Sequence, residues 1–533
     1  MAAPHPLARN FGDLVAEMAG RDADAPAVIE AGVELSYGEL DARVDAFAEG
    51  LAGLGVRRGG TVGLLCTNRW EWLVAALGAH RAGARVAAFN TFAKAWDLEY
   101  MLEHSGAEVL ICVDRFRSRD YRETLAELVP ELRQDGRRSS RFADLREVIV
   151  IGEPGDLAGA RGFEEVLGLA GEVDPEMVAP AGADAFVLYT SGSSARPKAV
   201  PLVHGAAIEN GFAIGERMGL RGDDRVLVAV PLFWAYGALN ALPASLGHGA
   251  AMVLQAAFEP GGALDLIEAH GATAIYTLPN MTAALVEHEA FAPERVASLR
   301  TGLTLGTPAE IERTAVALGA PDICNIYGGT ETYGNCCVTP STWPLERRKA
   351  SQGPPLPGVE LRIADRESGA PLATGEVGEI QVKGYLARGY LGDTTGASAA
   401  FGADGWYRSG DLGSLDADGN LSFSSRATEM IKTGGINVAP REVEEFLAMH
   451  EAVAAAAVVG VPDARVDEVV VAFVVPRDGT HPAEEELRAF CAERIAGYKV
   501  PVRVHVLAEM PATDTGKLAR RKLVEMDQEG VGA

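Results

Sequence analysis

The loop Thr190-Ser191-Gly192-Ser193-Ser194-Ala195-Arg196-Pro197-Lys198 follows the apolar run Ala185-Phe186-Val187-Leu188. Side-chain hydroxyls, loop amides and one ammonium converge there, a combination that favours phosphate oxygens. It is not a Walker A loop, which needs Gly directly before Lys and a helix straight after. Here Pro197 precedes Lys198, and Val200-Pro201-Leu202-Val203 continues extended. Taken alone, a Ser/Gly loop between two strands also reads as a surface turn. Three further stretches carry chemistry. Asn325-Ile326-Tyr327-Gly328-Gly329-Thr330-Glu331 stands at the end of a strand-like run, where open α/β sheets bind ligands. A carboxylate beside a hydroxyl and glycine amides can hold a magnesium ion bound to phosphates. Trp406-Tyr407-Arg408-Ser409-Gly410-Asp411 ends in an acid able to accept both hydroxyls of a ribose. Pro511-Ala512-Thr513-Asp514-Thr515-Gly516-Lys517 puts a lone lysine on a tight turn. Each has a plainer reading: Glu331 as a helix N-terminal charge, Asp411 as a turn residue, Lys517 as solvated surface.

The elements that must position these groups alternate between helix and strand. Leu40, Val44, Phe47, Leu51 and Leu54 recur at helical spacing and predict one buried stripe. Thr61 to Cys66, Arg85 to Phe89 and Glu108 to Cys112 read as strands, with a helix over Trp70 to Ala79. Strands separated by helices of this length predict parallel pairing with right-handed crossovers. The segment Arg133 to Arg141 reads as a solvated loop. After the hydroxyl-rich loop the theme resumes at Val226 to Val230, Ala272 to Tyr276 and Ile323 to Tyr327. Beyond about Gly353, Asp-Gly turns and short strands predict an antiparallel barrel or sandwich. A small mixed region follows from Glu429, with helices near Arg441 to His450 and Glu484 to Ile495.

With 533 residues the chain exceeds what one core holds and predicts more than one compact unit. Its 48% hydrophobic and 23% charged residues are ordinary for a globular protein. A net charge of -26 argues against nucleic acid, which needs a basic footprint. No basic amphipathic segment points to a membrane surface. Six cysteines without a C-x-x-C pair signal neither a disulfide framework nor zinc. No charged segment followed by an apolar run opens the chain, and a reduced cytoplasmic setting is the expectation.

Together and in this order, the phosphate loop, Tyr327 to Glu331, Ser409-Gly410-Asp411, Ser425 to Val438 and Gly516-Lys517 resemble one family. The chain is similar to the adenylate-forming superfamily of acyl-CoA synthetases, firefly luciferase and peptide-synthetase adenylation domains, in its acyl-CoA synthetase branch. The resemblance runs from Tyr37 to about Lys522. It implies an α/β fold: a large N-terminal domain, residues 1–426, of doubly wound mixed sheets with a small β-barrel subdomain over about 350–426. A small mobile α+β lid, residues 427–533, would follow, hinged at about Arg426-Glu429.

The resemblance also implies two half-reactions. A carboxylate attacks the α-phosphate of ATP, giving an acyl-adenylate and pyrophosphate; the thiol of coenzyme A then displaces AMP. Carried over, Thr190, Ser191, Gly192, Ser193, Ser194 and Lys198 grip the β- and γ-phosphates. Thr330 meets the α-phosphate and Glu331 holds Mg²⁺. Asn325, Gly306, Thr307 and Pro308 face adenine, with Tyr327 and Gly328 beside the nucleotide, and Asp411 and Arg426 take the ribose. Lys517 reaches in from the lid for the first step. Lys432, Gly434 and Gly435 serve the second, where a thiol arm must pass close to backbone.

The acyl group is assigned to Trp234, Tyr236, Gly237, Leu303, Leu305, Gly329, Tyr333 and Gly334. These are apolar, aromatic or small, which fits a bulky uncharged acid: aryl, alicyclic, polycyclic or medium-chain. The chain departs from the family pattern at Ala195 and Ala199, where glycines are usual, at Thr428 in the hinge, and at Trp234 in place of a histidine. Methyl groups at 195 and 199 would hinder loop closure if those sites need positive φ. Two alternatives follow. One is a thioester-forming enzyme with weak or absent ATP adenylation, fed preformed acyl-adenylate by a separate enzyme. The other is an inactive adenylate-binding scaffold. A carrier protein in place of free coenzyme A would have to be a separate partner.

Overall fold

The computed structural model describes residues 4–134, 136, 138–174, 176, 178–190, 197–393, 397–426, 430–511 and 518–530, the side chains of 397, 425, 426 and 441 excepted. The chain divides into two compact units. The first comprises residues 1–91, 101–189 and 199–425; the second comprises 92–100, 190–198 and 426–533.

Two mixed sheets and a smaller antiparallel one build the first unit. The eight-stranded sheet runs in the order Cys337–Val338, Asp322–Tyr327, Thr301–Thr304, Ala274–Tyr276, Arg225–Val228, Ala251–Leu254, Pro26–Glu30, Val33–Ser36. Its neighbours are parallel except at the two edges. In the seven-stranded sheet the central strands Arg85–Ala88, Thr61–Leu65, Val109–Val113 and Glu147–Ile151 pair in parallel. Every residue of Thr61–Leu65 and Val109–Val113 is buried, as parallel strands covered on both faces require.

The stripe on the helix Tyr37–Gly53 packs as its spacing predicts: Leu40, Val44, Phe47 and Leu51 are fully buried. Leu54 differs, because the helix has already ended there and it serves as a partly exposed C-cap. At the other end Ser36 and Glu39 close a capping box, satisfying otherwise orphaned amides. Ahead of that helix, Phe11–Arg21 and the hairpin Pro26–Glu30 with Val33–Ser36 add elements not anticipated from the sequence. The segment expected as a loop from Arg133 begins inside a 3-10 turn, Pro130–Gln134.

The glycine-rich region forms a four-stranded half-barrel sheet: Glu360–Ala364, Gly378–Lys383, Tyr407–Leu415, Leu421–Arg426. In the second unit, Val453–Asp463 and Asp467–Pro476 pair antiparallel along their lengths. Ile431–Thr433, Ile436–Val438 and Arg503–Val506 complete its five-stranded sheet, with helices Pro440–Leu447, Glu484–Arg494 and Arg520–Gln528. Val443, Phe446, Leu447, Leu487 and Cys491 pack from the first two helices onto that sheet. All six cysteines are free and buried.

Candidate active site

Strand register decides which segments can meet. Arg225–Val228, Ala274–Tyr276, Thr301–Thr304 and Asp322–Tyr327 are adjacent and parallel, so the chain leaves all four at one edge. From that C-terminal edge emerge Pro231 to Gly237, Leu305 to Pro308, and Gly328 to Gly334. This is where open parallel sheets leave a crevice. The sequence-assigned residues of these three stretches thus come to one rim of one sheet, while Asp411 lies on the four-stranded sheet.

After Tyr327 the backbone closes a short 3-10 turn, Thr330–Thr332, with Thr330 and Glu331 half-buried. The turn is tied down on itself: Gly334 N donates to Gly329 O at 2.9 Å, and Tyr333 N to Thr330 O at 3.1 Å. Tyr333 adopts a left-handed conformation, φ 59°, which for a tyrosine needs surrounding restraint. Asn240 Nδ2 and Asn210 Nδ2 supply it, donating to the Tyr333 carbonyl at 2.9 and 3.2 Å, while Val203 N donates to its hydroxyl at 3.0 Å. Asn240 belongs to a π-helical turn, Tyr236–Ala241, that starts within the expected acyl-binding stretch. Tyr236 Oη donates to the carbonyls of Leu303 (2.8 Å) and Thr277 (3.2 Å), tying that stretch to the neighbouring strand ends. Trp234 is half-buried, edge-on to Phe233 at 5.9 Å. Gly237 and Leu303 are buried and Leu305 is half-buried.

Asp411 lies on the strand Tyr407–Leu415 and is 7% exposed. Register there is irregular: Gln381 pairs with Arg408 and Glu379 with Leu412, so Ser409, Gly410 and Asp411 together face Ile380. Such a bulge re-aims side chains, and it uses the left-handed freedom of Gly410, φ 73°. Ser409 Oγ donates to Ile380 O at 2.6 Å and accepts from Asp411 N at 3.1 Å. Tyr327 Oη donates to Asp411 Oδ2 at 2.9 Å, and its ring stacks on Phe423. Burial, then the Asp411 charge, pushes the Tyr327 phenol well above its usual range, so it stays a donor. Glu331 Oε1 accepts from Tyr390 Oη at 2.9 Å. Tyr407 feels burial first, then Glu331, Tyr390 and Tyr327, and Tyr327 in turn holds Asp411.

Asn325 departs from the role the resemblance implies. Its side chain is fully buried, donating to Arg348 O (3.2 Å) and Ser351 O (2.9 Å) and accepting from Ile326 N (2.9 Å). The amide braces the loop behind the strand and has no donor left for adenine. Gly306-Thr307-Pro308 forms an exposed turn in which Thr307 and Glu310 make a capping box. Ala199 lies buried in the strand Lys198–Val203 and is not among the residues with positive φ. Its methyl group therefore fits without strain in this structure, which removes one ground for expecting weak adenylation.

Thr190 ends the strand Asp184–Thr190, and Lys198 begins the next, both half-buried. In the second unit, Gly434 (φ 55°) and Gly435 (φ 79°) form the two-residue turn between Ile431–Thr433 and Ile436–Val438. Two consecutive positive φ values make a type I′ hairpin, so this pair has a conformational reason to be glycine. Lys432 is exposed, its amide donating to Glu468 Oε2 at 2.7 Å. Ser191, Gly192, Ser193, Ser194, Ala195, Thr428, Lys517 and the Arg426 side chain lie outside the described residues.

A single half-buried carboxylate beside a threonine hydroxyl is a hard oxygen donor set. That set suits Mg²⁺, which is usually held by one or two carboxylates together with substrate phosphates. Sequence reasoning missed Tyr390, Asn210 and Asn240, which lie in no quoted motif, and gave no role to Tyr407 although it stands in the stretch ending at Asp411. Among the described residues no helix is long and apolar enough to cross a membrane.

Comparison with known proteins places this arrangement. The AMP-binding enzyme family matches residues 15–391, and the AMP-binding enzyme C-terminal domain matches residues 442–517. A feruloyl-CoA synthase of an Amycolatopsis species is 34% identical, covering 93% of this chain and 94% of that one. A methyl-dioxo-octahydro-indenyl propanoyl:CoA ligase of Rhodococcus jostii is 32% identical, over 97% and 96%. Among solved structures, an o-succinylbenzoate CoA synthetase of Bacillus subtilis bound to a product analogue superposes with a TM-score of 0.80. It is 27% identical, covering 96% of this chain and 98% of that one.

Proposed function

The chain belongs to the adenylate-forming AMP-binding enzymes, as an AMP-forming acid–CoA ligase, and on that premise we propose that it converts a bulky apolar carboxylic acid to its CoA thioester. The observation that carries the reading is the gathering of Asp411 and Glu331 beside one sheet edge, each accepting a hydrogen bond from a phenol. The acyl-binding stretch emerges at the same edge, with no Lys or Arg among Trp234, Tyr236, Gly237, Leu303, Leu305 and Gly334. Relatives named for a feruloyl group and for a fused bicyclic acid support the bulky class.

In the first half-reaction the carboxylate oxygen attacks the α-phosphorus of ATP and pyrophosphate leaves. Two anions must approach, so preorganised positive charge and donors are the main requirement. Asp411 accepts the ribose hydroxyls and fixes the nucleotide, Thr330 donates toward the α-phosphate, and Lys198 and Lys517 supply cationic charge. Glu331 and Thr330 would hold Mg²⁺, which when bound offsets phosphate charge. In the second half-reaction the thiol sulfur of coenzyme A attacks the acyl carbonyl and AMP leaves. The hairpin at Gly434-Gly435 offers the arm a surface without Cβ atoms, and no heavy atom outside the turn lies within 4 Å of where a Cβ of Gly434 would stand. The C-terminal unit from Arg426 onward acts as the lid, supplying Lys517 to the first step and this hairpin to the second. Six free, buried cysteines fit a reducing cytoplasmic setting.

A panel of aryl, alicyclic, fused-ring and medium-chain acids, scored separately for pyrophosphate and for acyl-CoA, tests the reading. Both products from at least one bulky acid are expected. Thioester only from synthetic acyl-adenylate, or no turnover at all, would overturn it.

A further inference from the structure

Glu331 is held from outside its own turn. Tyr390 Oη donates to Glu331 Oε1 at 2.9 Å. The phenol O–H is the donor in this pair, and the Tyr407 phenol is the next polar group that Tyr390 feels after Glu331. Tyr407 therefore stands behind the phenol that bonds Glu331. The rings are braced as well. Tyr390 packs edge-on to Phe401 at 5.6 Å, and Phe401 packs on Tyr407 at 4.8 Å. Tyr407 is 8% exposed, which leaves its ring little room to rotate away. The same segment is tied by backbone: Ala387 N donates to Glu331 O at 2.8 Å, and Leu391 N to Ala199 O at 2.9 Å. Glu331 is thus gripped at its carbonyl and at one carboxylate oxygen by residues 387 and 390.

We propose that Tyr390, backed by Tyr407, is a positioning residue that orients the Glu331 carboxylate so that Oε2 is presented to the divalent cation accompanying the nucleotide phosphates. The proposal rests on the reading of Glu331 as the cation-holding carboxylate. A free glutamate side chain has several rotamers, and fixing one oxygen before the cation arrives removes that ordering from the binding step. The role differs from ring packing, because the hydroxyl alone can be removed.

The test compares Tyr390→Phe, Tyr407→Phe and Glu331→Gln in the full chain. Tyr390→Phe is expected to raise the Mg²⁺ concentration giving half-maximal pyrophosphate release about tenfold, the size expected for losing one hydrogen bond to a charged group. Saturating Mg²⁺ should restore most of the rate. Calorimetric binding of magnesium pyrophosphate to AMP-saturated enzyme should weaken by a similar factor. Tyr407→Phe should move both in the same direction by about two- to threefold, and it serves as the probe if the other variant melts early. Two results overturn the proposal alone: Mg²⁺ curves of both tyrosine variants that coincide with the parent while Glu331→Gln is shifted, or rates lowered equally at every Mg²⁺ concentration. If Glu331→Gln leaves the Mg²⁺ curve and pyrophosphate binding unmoved, the assignment of Glu331 falls and this proposal falls with it.

Discussion

Asp411 and Glu331 are both acids hydrogen-bonded by a tyrosine, yet they are held in different ways. Asp411 is aimed by its own strand. A bulge turns it, Ser409 pins the backbone, and Tyr327 meets it from the adjoining large sheet. Glu331 stands on a half-buried turn, and its direction is set by Tyr390, 59 positions away in sequence. The contrast suits the two partners. A ribose diol needs two acceptor oxygens at fixed spacing. A hydrated cation arriving with phosphates needs a ligand that can complete its geometry during binding.

Breaking the first arrangement has the largest expected effect. Asp411→Ala should weaken AMP binding on the order of 100- to 10,000-fold, from losing two hydrogen bonds to a charged group at about 1.5–3 kcal/mol each. Calorimetry with AMP checks this, and an unchanged affinity would remove Asp411 from the nucleotide site. Glu331→Gln should slow pyrophosphate release about 100-fold and slow CoA attack on synthetic acyl-adenylate far less, as separate assays of the half-reactions would show. Equal losses in both would erase the distinction between the two acids.

A pH effect on folding must be kept apart from these comparisons. His80 and His204 are buried beside each other, with ring centroids 4.8 Å apart. Burial pushes the His80 imidazole down to about 3, and burial together with His80 pushes His204 well below its usual value. Both stay neutral in the fold but take a proton in the unfolded chain below about 6.5. The unfolded state thus binds more protons in that window, and stability falls as pH drops through 6.5 toward 3. The slope is up to about 1.4 kcal/mol per pH unit for each ring, and urea unfolding between pH 7.5 and 5 checks it. Binding assays above pH 7 are free of this histidine effect.

The smallest effect sharpens the comparison most. Tyr327→Phe leaves a buried carboxylate one donor short and should lower AMP affinity about fivefold, near 1 kcal/mol. Its Mg²⁺ dependence should stay at the parent value, in contrast to Tyr390→Phe. A shift in Mg²⁺ dependence for Tyr327→Phe would show that the two acids act as one group.

Much of this architecture was legible in the chain. Unbroken apolar runs such as Val109 to Cys112 announced buried parallel strands, because both faces of those strands are covered. Gly328 and Gly410 marked irregular backbone beside acids: a Cβ at 328 would meet the Gly334 carbonyl, and Gly410 takes the positive φ of the bulge. Tyr390 stayed hidden, since pairing with Glu331 across 59 positions leaves no periodicity to read. Asn325 was misjudged for a related reason. Its type suits hydrogen bonding, but its partners are the carbonyls of Arg348 and Ser351, which only the folded loop delivers. The π-helical turn at Tyr236–Ala241 likewise carries no glycine or proline inside a break that would announce it, since its single glycine is helical.

The surplus residues opposite Ile380 have a consequence for how this chain tolerates insertions and deletions. Between its paired flanks, the strand bearing Asp411 advances from 408 to 412 while its neighbour advances from 379 to 381. The excess is even, so Tyr407 and Gly413 keep the facing that simple alternation would give them. Loss or gain of one residue here would invert the facing of the paired residues downstream to Leu415. Length in this short stretch is therefore constrained by parity, and changes of two residues are the ones that keep Tyr407 and Gly413 on their present faces.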